Sequence, residues 1–174
     1  MSTLRNTHFE AVGSYLRPAA LKEARARFAE GAISAEQLRE IEDREIADVV
    51  AKQKACGLHY ITDGEFRRSY WHLDFMWGLN GVEHIELDHG YQFHGEETTH
   101  GSLRLTGRIS GENHPFIQDF LYVKQFEEDG VEAKLTIPAP AQFLAELFRG
   151  DNTRNTREYY PNTEELLQDI AAAY

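Results

Sequence analysis

Helical and extended patterns alternate along this chain of 174 residues, and the alternation predicts an α/β fold. The clearest example is one continuous unit. A long helical pattern over residues 34–56 stops at Gly57, residues 58–61 read as a short buried strand, and Thr62-Asp63-Gly64-Glu65-Phe66-Arg67-Arg68 follows as a charged loop. In an α/β fold the carboxyl ends of the strands face the ligand, which puts Asp63 and Glu65 at the mouth of a pocket. Two carboxylates and two guanidinium groups packed into seven residues make this loop the leading candidate site.

The other elements follow in chain order. Residues 9–14 read as a short strand ending in Gly13-Ser14, and Pro18 suits the first turn of a helix over residues 19–29. Gly31 closes that helix, and Ser34 with Gln37 three residues later forms a capping box for the next. On this second helix Leu38, Ile46, Val49 and Val50 share one side, with Glu42 and Glu45 close to it. The two glutamates read first as rim charges, with pairing to an arginine of a neighbouring element as the alternative. The block from Tyr70 to Trp77 is too rich in rings to be a solvated linker and is expected to be buried, in part as helix. Over residues 80–111 glycines break short alternating runs, the pattern of a hairpin region, with Leu103, Leu105 and Ile109 marking its best strand. A helix over 115–128, a strand over 131–137, a helix over 141–148 and a polar loop over 150–160 are expected next. The last helix starts at Asn162-Thr163-Glu164-Glu165 and reaches Tyr174 without a cap or a basic last turn, which suggests the front portion of something longer.

Composition narrows the function classes. Eighteen Lys and Arg stand against 29 Asp and Glu, and the formal net charge of −11 repels phosphate backbones and anionic lipid. No nucleic acid and no membrane partner is expected. The N-terminus lacks a signal-peptide core and the one cysteine, Cys56, cannot form an internal disulfide, so a cytoplasmic location is expected. Cys56 itself reads as a small packing residue rather than a nucleophile. His84, Asp88, His89, His94, Glu96, Glu97 and His100 could be collected into a metal site, but their spacing fits no compact ligand pattern, and exposed polar residues of a glycine-rich hairpin are the better reading. Trp71 and Trp77 read as core rather than as a stacking platform. Arg67 and Arg68 either clamp a carboxylate or phosphate, or pair with Glu65 or Asp63.

Several of these segments, in this order, resemble the cobalamin-independent methionine synthase family, and its shorter bacterial members most closely. They are Gly13-Ser14, Gly31-x-Ile33-Ser34, Gln53-Lys54-x-x-Gly57-Leu58, Asp63-Gly64-Glu65-Phe66-Arg67-Arg68, Lys134-Leu-Thr-Ile-Pro138-Ala-Pro140 and Glu165-Leu-Leu-x-Asp169-Ile-Ala-x-Ala-Tyr174. The resemblance implies a (β/α)8 TIM barrel. A closed barrel takes about 250 residues, so residues 1–174 would form a single domain, the N-terminal half of the catalytic barrel, with an inserted β-hairpin region and truncated before closure. The family transfers a methyl group from a methylated polyglutamyl folate to the thiol of homocysteine, using a zinc ion that makes the thiol a thiolate.

By resemblance, Ser14 and Glu65 bind the amino-acid end of a homocysteine-like substrate, with Gly13, Asp63 and Arg67 completing the candidate set. The family's zinc ligands, a His-x-Cys pair, a glutamate and a later cysteine, match no segment here, so no metal ligand and no catalytic residue is assigned. The chain is then expected to bind no zinc and to lack full methyltransferase activity by itself. An amino-acid-binding or assembly module, or one half of a split enzyme, is the alternative. An open sheet would leave free strand edges, from which a homo-oligomer is expected.

Overall fold

The computed structural model describes residues 10–88, 92, 93, 96, 97 and 100–174, with 92, 93, 96 and 97 described by their backbone alone. Helices and short strands form two compact units, the first made of residues up to Arg68 together with Ile117–Thr136, the second of Ser69–Phe116 and Ile137–Tyr174.

In the first unit two helices precede a parallel strand pair. Helix α1 spans Ala19–Ala29 and α2 spans Ala35–Ala55. The capping box is present, with the Gln37 amide donating to Ser34 Oγ at 3.2 Å and the Ser34 amide to Gln37 Oε1 at 2.9 Å. Helix α2 ends where Gly57 takes φ +77°, a conformation that costs a glycine little. Strand β1 is Tyr60–Ile61. After the second unit's hairpin region, the chain returns through α4 (Pro115–Lys124), whose residues from Ile117 belong to the first unit, to reach β6 (Glu132–Ala133). The two strands pair in parallel with Ile61 opposite Ala133, and the Lys134 amide donates to Ile61 O at 2.8 Å. Leu21, Ile46, Val49, Val50, Ile61, Phe66 and Val123 form the core between helices and strands. Each fully buried Leu, Ile or Phe among them contributes roughly 1.5–3 kcal/mol.

Both strands are shorter than the sequence pattern predicts, and side chains take up backbone groups in and beside them. Gln53, buried on α2, accepts from the Thr62 amide at 2.9 Å and donates to Thr62 O at 2.8 Å. Glu127 Oε1 accepts from the Ala133 amide at 3.0 Å. Of the predicted first strand, Phe9 lies outside the described residues, and residues 10–14 have no regular secondary structure.

In the second unit a five-residue helix, α3 (Leu73–Trp77), leads into an antiparallel pair, β2 (Asn80–Glu86) and β5 (Gly101–Ser110), with Val82 opposite Leu105 and His84 opposite Leu103. Between them β3 (Gln92–Phe93) and β4 (Glu96–Glu97) also pair antiparallel. The hairpin expected over 80–111 is therefore observed. Register slips beside Gly81, where φ is +77° and a Cβ would lie 2.3 Å from Arg108 O, so only glycine fits the bulge.

The chain then forms α5 (Pro140–Leu147), α6 (Asn152–Tyr159) and α7 (Thr163–Ala173). Helix α6 occupies the stretch expected to be a polar loop. Its inward face is polar and hydrogen-bonded: Thr156, fully buried, donates to Leu147 O at 2.7 Å, and Asn155 accepts from the Leu105 amide at 2.6 Å. Tyr160 accepts from the Ile109 amide at 2.7 Å and donates to Asp169 of α7 at 2.7 Å. Burial, with the neighbouring Asp169, pushes the Tyr160 phenol up to about 12.

Three local expectations change. Cys56 is exposed at the C-cap of α2 rather than packed, because the helix ends there. Trp71 is about half exposed, whereas Leu73, Phe75 and Met76 of the same block are buried. Glu42 is buried rather than on the rim.

Replacing Gln53 with leucine removes both partners of Thr62 while the backbone groups stay buried. Urea unfolding is expected to show a loss of about 2–4 kcal/mol with an unchanged m value.

Candidate functional site

The turn after β1 is built from side chains that grip its backbone. Thr62 Oγ1 accepts from the Gly64 amide at 3.2 Å, and Asp63 Oδ1 accepts from the Glu65 amide at 2.8 Å, the geometry of an Asx turn. The turn obliges Glu65 to adopt φ +56°, a sparsely populated conformation for a residue with a Cβ. Arg17 holds the other side, its Nη2 donating to Glu65 O at 3.0 Å and to Arg68 O at 2.6 Å. Arg25 of α1 donates to Phe66 O at 2.5 Å.

The turn that begins at Gly13 lies against this one. The Tyr15 amide donates to Gly64 O at 3.1 Å. Gly64 has φ +66°, and a Cβ there would meet Phe66 at 3.1 Å and Tyr15 at 3.2 Å, so the two turns close over a position with no room for a side chain. Ser14 is exposed on the edge of that contact and Gly13 takes φ +83°. Burial, together with the charge of the Cys56 thiolate, pushes the Tyr15 phenol above its ordinary range.

Four of the five predicted residues, Gly13, Ser14, Asp63 and Glu65, are thus brought together on two adjoining turns. Asp63 and Glu65 are about 95% buried, yet both stand beside the exposed Ser14 turn. Glu65 Oε1 accepts from Thr136 Oγ1 at 3.2 Å and from Arg68 Nη1 at 3.4 Å.

Arg67 sits differently. Its guanidinium pairs with Glu42 at 2.9 Å, with Asp43 and with Asp119 at 3.2 Å, and it lies over the Tyr122 ring. Ion pairing is what the structure shows for Arg67, with α2 and α4 supplying the acids in place of the expected Glu65 or Asp63. Burial would lower its pKa, but the bonds to Asp43 and Glu42 and the Asp119 charge hold it above the ordinary arginine value. Glu42, which also faces Arg25 at 3.5 Å, takes the alternative role of arginine partner.

Arg17, Arg25, Gln53 and Thr136 were not among the candidates. Gln53 and Thr136 lie within the quoted motifs, while nothing in the local pattern around Arg17 or Arg25 announces a partner some 40 to 50 residues away.

Residues 7–100 match the family profile of the cobalamin-independent synthase catalytic domain. The chain belongs to the cobalamin-independent synthase family. It is 43% identical over 163 residues to YxjH of Bacillus subtilis, an uncharacterized protein, covering 94% of this chain and 41% of that one. It is 26% identical over 131 residues to the 5-methyltetrahydropteroyltriglutamate–homocysteine methyltransferase of Thermotoga petrophila, covering 73% of this chain and 17% of that one. Among solved structures it resembles a Listeria monocytogenes protein assigned as a vitamin-B12 independent methionine synthase, with TM-score 0.63 and 38% identity over 94% of this chain and 48% of that one. The α/β fold is thus that of methionine synthase structures. The chain spans about two fifths of the length of the Bacillus relative.

The family resemblance implies zinc, and the described residues alone bear on its donors. Among the described residues no group of three or more His, Cys, Asp and Glu side chains could hold a metal ion. His89 and His94 of the hairpin cluster lie outside the described residues, and His84 pairs with Glu86 at 2.7 Å while stacking on Trp77. Nor is any helix among the described residues long and apolar enough to cross a membrane.

Arg67→Met leaves Glu42 buried with one cation fewer. A loss of about 3 kcal/mol in thermal or urea unfolding is expected, at the low end for such a change because Arg25 remains beside Glu42. The double variant with Glu42→Leu should recover most of it.

Proposed function

We propose that the adjoining turns at residues 13–15 and 62–68 hold the amino-acid end of a homocysteine-like substrate for methyl transfer to its thiol from a folate donor. The Glu65 carboxylate receives the ammonium group, and the Ser14 hydroxyl with its own amide receives the carboxylate. The single observation that carries this reading is the bond from the Tyr15 amide to Gly64 O, which brings the Ser14 turn against the Glu65 turn.

The local charge supports a zwitterion over a simple ion. Asp63 and Glu65 are balanced by Arg17 and Arg68, whose guanidinium groups bond within the same turn. A free anion would meet two carboxylates and a free cation two guanidinium groups. A group carrying both charges can be placed with each end toward its complement.

We read β1 and β6 as two strands of an incomplete (β/α)8 barrel whose strand ends carry this pocket, since they run in parallel and Glu65 and Thr136 lie just beyond their carboxyl ends. Thiol activation needs a metal set, and the turns at 13–15 and 62–68 contain neither His nor Cys to contribute to one. The role proposed for the two turns is accordingly to hold the substrate rather than to activate its thiol.

Isothermal titration with L-homocysteine tests the reading. Glu65→Gln is expected to weaken binding by roughly 10- to 100-fold, the value of a charge-assisted bond, and Ser14→Ala by a smaller factor. Binding unaffected by Glu65→Gln would contradict it.

A further inference from the structure

Thr136 lies three residues beyond β6, and Glu65 four residues beyond β1. Because the two strands run in parallel with Ile61 opposite Ala133, their carboxyl ends deliver both residues to the same edge. There the Thr136 hydroxyl donates to Glu65 Oε1 at 3.2 Å, on the oxygen that also accepts from Arg68 at 3.4 Å.

The backbone of Glu65 is already fixed: its amide is held by Asp63, its carbonyl by Arg17, and its φ is +56°. What remains free is the rotation of the side chain. Among the described residues both hydrogen bonds to that side chain fall on Oε1, so they orient the carboxylate through one oxygen and leave Oε2 for a further partner. A threonine suits the task because branching at Cβ restricts χ1 and with it the direction of the hydroxyl.

Resting on the reading of Glu65 as the ammonium acceptor, we propose that Thr136 is a positioning residue: it orients the Glu65 carboxylate so that Oε2 is presented to the α-ammonium group of the substrate. Thr136 acts through Glu65 and touches no substrate atom. Its contribution is therefore confined to ligands that carry the ammonium group.

The test compares L-homocysteine with its deaminated analogue, 4-mercaptobutyrate, by isothermal titration on the full 174-residue chain. Thr136→Val is expected to weaken homocysteine about tenfold, the worth of one bond to a charged group, and to leave the analogue within about twofold. Thr136→Ser, which keeps the hydroxyl, should restore homocysteine binding to within about threefold of the parent. An equal loss for both ligands, or no loss for either, overturns the inference, as does a serine variant no better than valine. Glu65→Gln separates the two levels. If it abolishes the preference for the amino acid while Thr136→Val does not reduce that preference, the positioning role fails and the ammonium site stands. If the parent chain shows no preference for homocysteine over the analogue, the ammonium site fails and the role of Thr136 fails with it.

Discussion

A short turn that must be buried without a sheet around it faces an accounting problem, because each backbone amide and carbonyl removed from water has to find a partner. In residues 62–68 the Phe66 and Arg68 amides bond to carbonyls of the turn itself, and side chains supply many of the other partners. Gln53 brackets Thr62, Asp63 takes the Glu65 amide, Arg17 takes the carbonyls of Glu65 and Arg68, and Arg25 takes that of Phe66. Among the described residues the one main-chain bond to a distant segment runs from Tyr15 to Gly64, and it seats the Gly13-Ser14 turn. With the partners supplied by α1, α2 and the preceding turn, the geometry of the turn depends on helix docking as much as on the two strands.

That arrangement explains the division of labour among the charged residues. Arg67 points its charge into Glu42, Asp43 and Asp119 and so ties the turn to α2 and α4. Arg17 donates to carbonyl oxygens, and Arg25 donates to a carbonyl and faces Glu42. Glu65 is left as the carboxylate whose bonds fall on one oxygen only, and it is held in a strained backbone conformation. Strain of this kind persists only where the surroundings over-determine it, and it gathers at places where a ligand is met.

Much of this was legible in the chain itself. The capping box at Ser34 and Gln37, the stop at Gly57, the hairpin with Leu103, Leu105 and Ile109 buried, and the density of charge at 62–68 all follow local rules that hold in the folded protein. What escaped the reading depends on distance along the chain or on faces that hydropathy does not mark. Helix α6 was hidden because the side it buries is Asn152 and Thr156, polar residues satisfied by carbonyls that no window of sequence reveals. Strands β1 and β6, two residues each, are also shorter than their apolar runs suggest. Asp119 gives no sign that its partners are Arg39 and Arg67, since that pairing exists only once α4 packs on α2.

The claim on which the account turns is that the Ser14 turn and the Glu65 turn are joined through their backbones, and native-state hydrogen exchange reads that bond directly. The Tyr15 amide is expected to be protected to within about tenfold of the Lys134 amide, which bonds β6 to β1 in the same unit. A Tyr15 amide exchanging at the rate of an unstructured peptide while Lys134 stays protected would contradict the account.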